Sequence, residues 1–269
     1  MLSLPVSLMF LIVLTFPRGN TMLVYRHESC NKMVQNVVFN SMENFVEIAD
    51  RDGSFSVSVL TASKSSRVVL FAAGAGGNPR RHMPLLQTLA DHGFTVVAPH
   101  FERVAGHAIS EADLSLRIRR LALALDYAAG TGHPVDGIGH SIGAAMLIGL
   151  SGGQMWMRHG EKLDIAAGQR IERLVLFTPA TDFFRAPGAL DGVHAPMQVW
   201  AGELDDVTPP SQTLFLKNAL GDLVDARVVP GAGHFSFMNE LPPHVTDSLE
   251  NREAFLDHLA RETRRFLLA

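Results

Sequence analysis

Gly139-His140-Ser141-Ile142-Gly143 decides the reading of this chain. An apolar, β-prone stretch from Val135 runs into it, and the small and apolar run Ala144-Ala145-Met146-Leu147-Ile148 leaves it. That pattern predicts a strand, a tight turn and a helix. A serine at the tip of such a turn is forced into a strained backbone conformation, which is why small residues are needed two before and two after it. The strain lifts the hydroxyl clear of the sheet, and the first free amides of the following helix face any oxyanion that forms beside it. Ser141 is therefore the candidate nucleophile. An ordinary turn serine would satisfy the pentapeptide alone, so the reading depends on the elements around it.

Outward from this turn the chain alternates strand and helix. Upstream, Asn44–Ile48 and Ser54–Leu60 alternate apolar and polar residues around the turn Asp50-Arg51-Asp52-Gly53, which predicts an antiparallel hairpin. Arg67–Phe71 is a continuous apolar run that ends in Ala72-Ala73-Gly74-Ala75-Gly76-Gly77, as expected of a strand covered on both faces. Helical spacing through Met83, Leu85, Leu86, Leu89 and Ala90 leads to a strand at Phe94–Ala98. A second helix over Glu111–Ala129 carries Leu114, Ile118, Leu121, Leu125 and Ala128 on one face. Beyond the serine turn, Ser151–Gln169 reads as an irregular excursion. Strands follow at Arg173–Phe177, Met197–Ala201 and Ala226–Val229, and an amphipathic helix at Arg252–Leu267 closes the chain. The expected fold class is α/β: a mostly parallel, doubly wound sheet with an N-terminal antiparallel hairpin, its functional loops gathered at the carboxyl ends of the strands.

Bulk properties narrow the function. The 269 residues are 47% hydrophobic, enough for one large core. Net charge is −4, and Lys and Arg are scattered without a stripe or run, so neither nucleic acid nor stable membrane association is expected. The expected partner is a small molecule. Cys30 is the only cysteine, which excludes an internal disulfide and a cysteine-based metal cluster. The 12 histidines show no ligand spacing, so neither metal nor cofactor is expected.

Residues 1–41 form an N-terminal extension with two competing readings, and 42–269 the catalytic domain. Leu2–Phe16 is almost wholly apolar but has no Lys or Arg before it and contains Pro5, and it is shorter than the ~20 residues a spanning helix needs. It reads as a signal or short anchor, or as an upstream extension with Met22, Met33 or, best, Met42 as the start. The cytoplasm is the expected location, with export or anchoring the alternative.

A serine hydroxyl needs a base within hydrogen-bond reach, and the base needs an acid to fix its tautomer. The strand Met197–Ala201 ends in Gly202-Glu203-Leu204-Asp205-Asp206-Val207-Thr208-Pro209, a turn that exposes an acid. The final strand ends in Pro230-Gly231-Ala232-Gly233-His234-Phe235, whose glycines let a loop present His234. The order is serine, acid, histidine.

With that order the chain resembles the α/β-hydrolases from about Met42 to its C-terminus. The resemblance implies the α/β-hydrolase fold, and it favours Asp205 as the acid, since it follows Gly-x-x with a proline four residues on. Asp206 is the rival, otherwise a solvated carboxylate capping the helix near Pro209; Glu203 and Asp182 are weaker candidates. His140 occupies the variable place before the nucleophile and is expected to pack behind the turn without a catalytic role. The oxyanion hole needs two backbone N–H groups. Ile142 supplies one, and the resemblance assigns the other to Ala75, although Ala73 stands where relatives carry histidine. Asn78-Pro79-Arg80-Arg81, Gly93–Pro99 and the Asp52-Gly53 hairpin are similar to the dienelactone hydrolase branch, which normally uses cysteine where this chain has Ser141.

His100, Phe101, Phe183, Phe184, Phe235, Phe237 and Met238 fall on expected strand-end loops, with His100, Phe235 and Met238 the candidates for a substrate pocket. The insertion after Thr178 is short, so little or no cap is expected. The resulting expectation is a serine hydrolase of a carboxylic ester or thioester. The alternatives are acyl transfer or amide and peptide cleavage by the same residues, and a non-catalytic ligand-binding relative.

Overall fold

The computed structural model describes residues 10–15, 21–26, 42–104, 109–165, 168 and 170–269. The chain divides into two compact units, Met1–Asn40 and Ser41–Ala269. In the first, β1 (Phe10–Thr15) pairs antiparallel with β2 (Thr21–Arg26). The sequence reading anticipated neither strand, because a hairpin of two apolar runs has the same composition as a leader. Most of the remaining N-terminal extension, including Cys30 and Met33, lies outside the described residues, as does Phe16. No helix among the described residues is long and apolar enough to cross a membrane.

The second unit begins with the expected hairpin, β3 (Met42–Asp50) and β4 (Gly53–Thr61), and continues with β5 (Arg67–Ala72), α1 (Met83–Asp91), β6 (Phe94–Pro99) and α2 (Glu111–Ala129). After these come β7 (Val135–His140), α3 (Ile142–Leu150), β8 (Ile171–Phe177), β9 (Met197–Gly202), α4 (Pro210–Leu220), β10 (Val224–Val229) and α5 (Arg252–Leu267). One eight-stranded sheet runs in the order β10-β9-β8-β7-β5-β6-β4-β3. Only the β3–β4 and β4–β6 pairs are antiparallel; the others are parallel. Several strands start earlier than their apolar runs suggest. β10 begins at Val224 because the parallel ladder pairs Val224 with Met197, and pairing recruits residues whose own propensity is neutral.

The period of two along each strand sorts the core into two layers. On β5, Val68, Leu70 and Ala72 join the layer built with Leu114, Ile118, Leu121 and Leu125 of α2 and with α3, while Val69 and Phe71 face Leu85, Leu86 and Leu89 of α1 and Leu259 of α5. Both faces being covered explains the unbroken apolar runs.

From β5 the chain adds β6 on one side and then returns to place β7 on the other. The sheet order therefore reverses at β5/β7, and a crevice opens at the carboxyl ends of these two strands. Residues 73–77 leave β5 there, and Ser141 leaves β7.

Two glycines make the crossing of α3 over β5 possible. A Cβ on Gly143 would stand 2.1 Å from the Ala72 carbonyl oxygen, and one on Gly139 would stand 2.7 Å from the Ala144 nitrogen. Both neighbours are backbone and cannot swing aside. Gly143→Ala is accordingly expected to cost about 3 kcal/mol, the upper end of overpacking penalties, read as a lower midpoint in urea unfolding. An unchanged midpoint would mean the helix can retreat from the strand without loss.

Candidate active site

Ser141 has φ 57° and ψ −123°, a conformation an L-residue holds only when its surroundings enforce it. Its N–H donates to the Phe177 carbonyl at 2.9 Å, while its own carbonyl accepts from Ala144 and Ala145 at 3.1 and 3.3 Å. The turn is thus tied to β8 on one side and to α3 on the other, and the side chain has one direction left.

That direction leads to His234. Its Nε2 lies 3.1 Å from Ser141 Oγ, and its Nδ1 lies 2.9 Å from Asp205 Oδ2. The His234 side chain is 5% exposed and that of Asp205 is fully buried. A buried carboxylate must be hydrogen-bonded to stay charged. Asp205 Oδ1 accepts from the amides of Val207 and Thr208 at 2.9 and 2.8 Å, and Oδ2 lies 2.9 Å from Thr208 Oγ1. With the acid ionised, His234 carries its proton on Nδ1 and presents a bare Nε2 to the serine.

The acid turn and the histidine loop are joined along their length. Glu203 N–H donates to the Val229 carbonyl, Leu204 N–H to the Ala232 carbonyl, and Gly231 N–H to the Glu203 carboxylate at 2.9 Å. Gly202 permits this approach, since a Cβ there would meet the Ala232 carbonyl oxygen at 2.4 Å. Glu203 therefore staples the loops and does not face His234. Asp206 is exposed, and α4 begins at Pro210 behind Pro209 with no side-chain cap, so Asp206 does not cap it as the sequence reading expected. The turn is instead closed by Asp205, one residue earlier. Asp182 is exposed and pairs with Arg185 at 3.1 Å.

Thr208 was missed at the sequence level. Its hydroxyl lies 3.0 Å from His234 Nδ1 and 3.0 Å from the Thr178 carbonyl, as well as on Asp205, so it braces acid and imidazole against β8. No local pattern marks such a residue, because its partners come from three strand ends.

Behind the reacting face runs a column of buried rings. His140 Nε2–H donates to the His234 carbonyl at 3.0 Å, and its ring lies 4.9 Å from that of His234 and 5.3 Å from that of His82. His82 in turn lies 4.9 Å from Phe71. Burial pushes His82 down to about 3, and burial, with the neighbouring His234 and His82, holds His140 well below the usual histidine range. Both are therefore neutral at neutral pH.

The two residues named for the oxyanion hole lie on segments that meet beside Ser141. Ile142 is the first residue of α3, so its N–H has no intrahelical acceptor. The loop carrying Ala75 lies against the serine: a Cβ on Gly74 would stand 3.3 Å from Ser141 Cβ and 3.0 Å from His140 Nδ1.

The pocket candidates separate. Phe235 is half-buried and sets its ring edge-on to His234, with centroids 5.1 Å apart. Met238 is buried nearby, its N–H on the Phe235 carbonyl at 3.1 Å. His100 is held instead by the hairpin, with Nε2 2.8 Å from Ser58 Oγ of β4 and its ring near Phe45 of β3. Phe184 and Phe237 are core residues, the latter stacked on Phe177. A cleft of about 470 Å³ lies elsewhere, between residues 184–193 and Phe215, Ala219 and Leu220 of α4, and includes none of Ser141, Asp205 and His234. Glu111, His159 and Glu161 bring ligand atoms within 4.8 Å of one another at the surface, and the group includes none of Ser141, Asp205 and His234.

Solved structures share this architecture. An α/β serine hydrolase homologue from Coxiella burnetii superposes with a TM-score of 0.59 at 18% identity, over 83% of this chain and 97% of that one. The chain has the α/β-hydrolase fold. A dienelactone hydrolase from Anabaena variabilis matches this α/β-hydrolase fold with a TM-score of 0.58 at 18% identity, over 85% and 98% of the two chains. A Xanthomonas campestris α/β serine hydrolase without lid matches it with a TM-score of 0.58 at 16% identity, over 83% and 94%. No protein-family model and no curated protein matches the chain. Within the α/β-hydrolase fold described here, the connection from β8 to β9 holds one short 3₁₀ turn, Thr181–Phe184.

Proposed function

We propose that this protein is a serine hydrolase that cleaves a carboxylic ester or thioester of a small or medium substrate through an acyl-enzyme. One observation carries the reading: an unbroken hydrogen-bond chain from Ser141 Oγ through His234 to Asp205, at 3.1 and 2.9 Å, ending on a carboxylate that is itself fully bonded. Hydrolases and esterases among the structures of like fold, one of them a serine hydrolase without lid, support it.

The chemistry follows from the geometry. His234 Nε2 takes the proton of Ser141 as Oγ attacks the carbonyl carbon. The amides of Ala75 and Ile142 receive the oxyanion, and Asp205 stabilises the imidazolium. The tetrahedral adduct collapses, Nε2 returns the proton to the departing alcohol or thiol, and the acyl group stays on Oγ. Water repeats the cycle from the other side and restores the serine. Phe235 and Met238 would offer an apolar wall to the substrate beside His234.

A fluorophosphonate probe is expected to label the protein at Ser141 and to fail on Ser141→Ala, read by intact mass. Labelling that persists in the variant would sink the reading. A series of p-nitrophenyl esters from acetate to decanoate is expected to give its highest kcat/KM at short or medium chains, and an optimum at the longest chain would contradict the small or medium substrate.

A further inference from the structure

Arg117 is an arginine on the apolar stripe of α2, between Leu114 and Leu121, and it is 4% exposed. Burying a cation is costly unless something pairs with it. Among the described residues no carboxylate pairs with it. Its guanidinium instead donates to three backbone carbonyls: Nη1 to Gly74 at 3.1 Å, Nη2 to Ala75 at 3.1 Å, and Nη2 to Glu102. The Phe101 ring lies 5.3 Å beneath it. Burial lowers its pKa from the usual arginine value, which is so high that the group stays charged.

The peptide unit that matters joins Gly74 to Ala75. Peptide bonds here are trans, so the carbonyl of Gly74 and the N–H of Ala75 point in opposite directions within one plane. Holding the carbonyl toward α2 turns the amide toward the other side of the peptide plane, and Gly74 lies so near the serine that a Cβ on it would stand 3.3 Å from Ser141 Cβ. Among the described residues that N–H has no acceptor. The same donation polarises the amide, because a hydrogen bond to the carbonyl strengthens the N–H of its own peptide group as a donor. The neighbouring strap, with Val104 N–H on the Ala75 carbonyl and Phe101 N–H on the Gly77 carbonyl, fixes the loop's position; Gly77 N–H also donates to the Gly74 carbonyl at 2.9 Å, so Arg117 is the second donor on that oxygen and the one that brings a charge.

We propose that Arg117 is a positioning residue for the oxyanion hole, which aims and polarises the Ala75 N–H by clamping the Gly74 carbonyl. This inference rests on the hydrolase reading of Ser141. A donor aimed in advance acts on the transition state and not on the bound substrate, so its loss should appear in kcat.

The test uses p-nitrophenyl acetate and a phenyl-substituted trifluoromethyl ketone, which forms a tetrahedral adduct with the serine. Arg117→Met is expected to lower kcat by about 10- to 100-fold, less than deletion of a whole oxyanion donor, with KM within about threefold. The inhibition constant of the ketone should rise by the same factor as kcat/KM falls. Arg117→Lys, which keeps a cation but loses the fork, should lie between the two and show the same parallel. If Arg117→Met does not fold, the lysine variant carries the test. A lysine variant with a lowered melting temperature but wild-type kcat and ketone affinity would reduce Arg117 to a structural clamp and overturn the proposal. Wild-type turnover that survives Ser141→Ala would instead bring down the hydrolase reading, so the two failures are distinguishable.

Discussion

Replacing Ser141 with alanine is expected to lower kcat for p-nitrophenyl acetate by about 10⁶-fold, the scale seen when the nucleophile of a serine hydrolase is removed. The loss is so large because Oγ supplies the bond that makes the acyl-enzyme, and no other group described near His234 Nε2 can replace it. Asp205→Asn should cost about 10⁴-fold, since an amide in that place favours the wrong imidazole tautomer while preserving shape. In this structure the asparagine would meet further conflict. Asp205 Oδ1 accepts two amides, so the variant's NH₂ must occupy the Oδ2 position, beside His234 Nδ1. That nitrogen would then have to lose its proton, leaving Nε2 protonated against the serine. Asp206→Asn is the control, expected to leave kcat within about twofold because an exposed carboxylate one residue on is screened by solvent. Single-turnover and steady-state kinetics on the three variants decide the matter. An Asp206 variant weaker than the Asp205 variant would reassign the acid.

Acid should destabilise this protein, because His82 and His140 are buried in neutral form. A histidine whose folded pKa is depressed binds its proton more readily in the unfolded chain. Its stabilisation is complete above the unfolded value near 6.5 and is lost as pH falls below it, at about 1.4 kcal/mol per pH unit, until the folded group titrates as well. For His82 that floor is about 3. His140 is held down by burial first and then by the neighbouring His234 and His82, so it works in the same direction. Urea unfolding between pH 7.5 and 4.5 should therefore lose stability with a slope approaching two protons. His82→Phe keeps a ring against Phe71 and removes one of the two. At pH 5 the variant should have gained about 2 kcal/mol relative to its standing against wild type at pH 7.5. Parallel pH profiles for the two proteins would refute the assignment.

How much of this could be read beforehand depended on whether the information was local. The bounds of α2 and α5 follow from apolar spacing and, for α2, from Ser110, whose hydroxyl accepts from the Asp113 amide at its N-terminus. The strand runs of β5 and β8 are long enough to identify themselves, and the glycine-framed turns mark where they end. The N-terminal hairpin was hidden because its strands share the composition of an apolar leader. Thr208 was hidden because it acts through the Thr178 carbonyl, Asp205 and His234 together, which are separated by strands. Arg117 did leave a trace: a charge at a position where helical spacing calls for an apolar side chain. That trace reports an obligation to find partners without saying which.

The sequence by itself determined the alternation of strands and helices, the small residues at the serine turn, and the order in which serine, acid and histidine arrive. Each of these is a property of neighbouring residues and their backbone preferences. Only the tertiary structure decided that His234 reaches a serine 93 residues away and that Asp205, not Asp206, reaches His234 across 29. Those distances follow from the reversal of strand order at β5 and from loops stapled backbone to backbone. The packing of a whole sheet sets them, and no single segment encodes them.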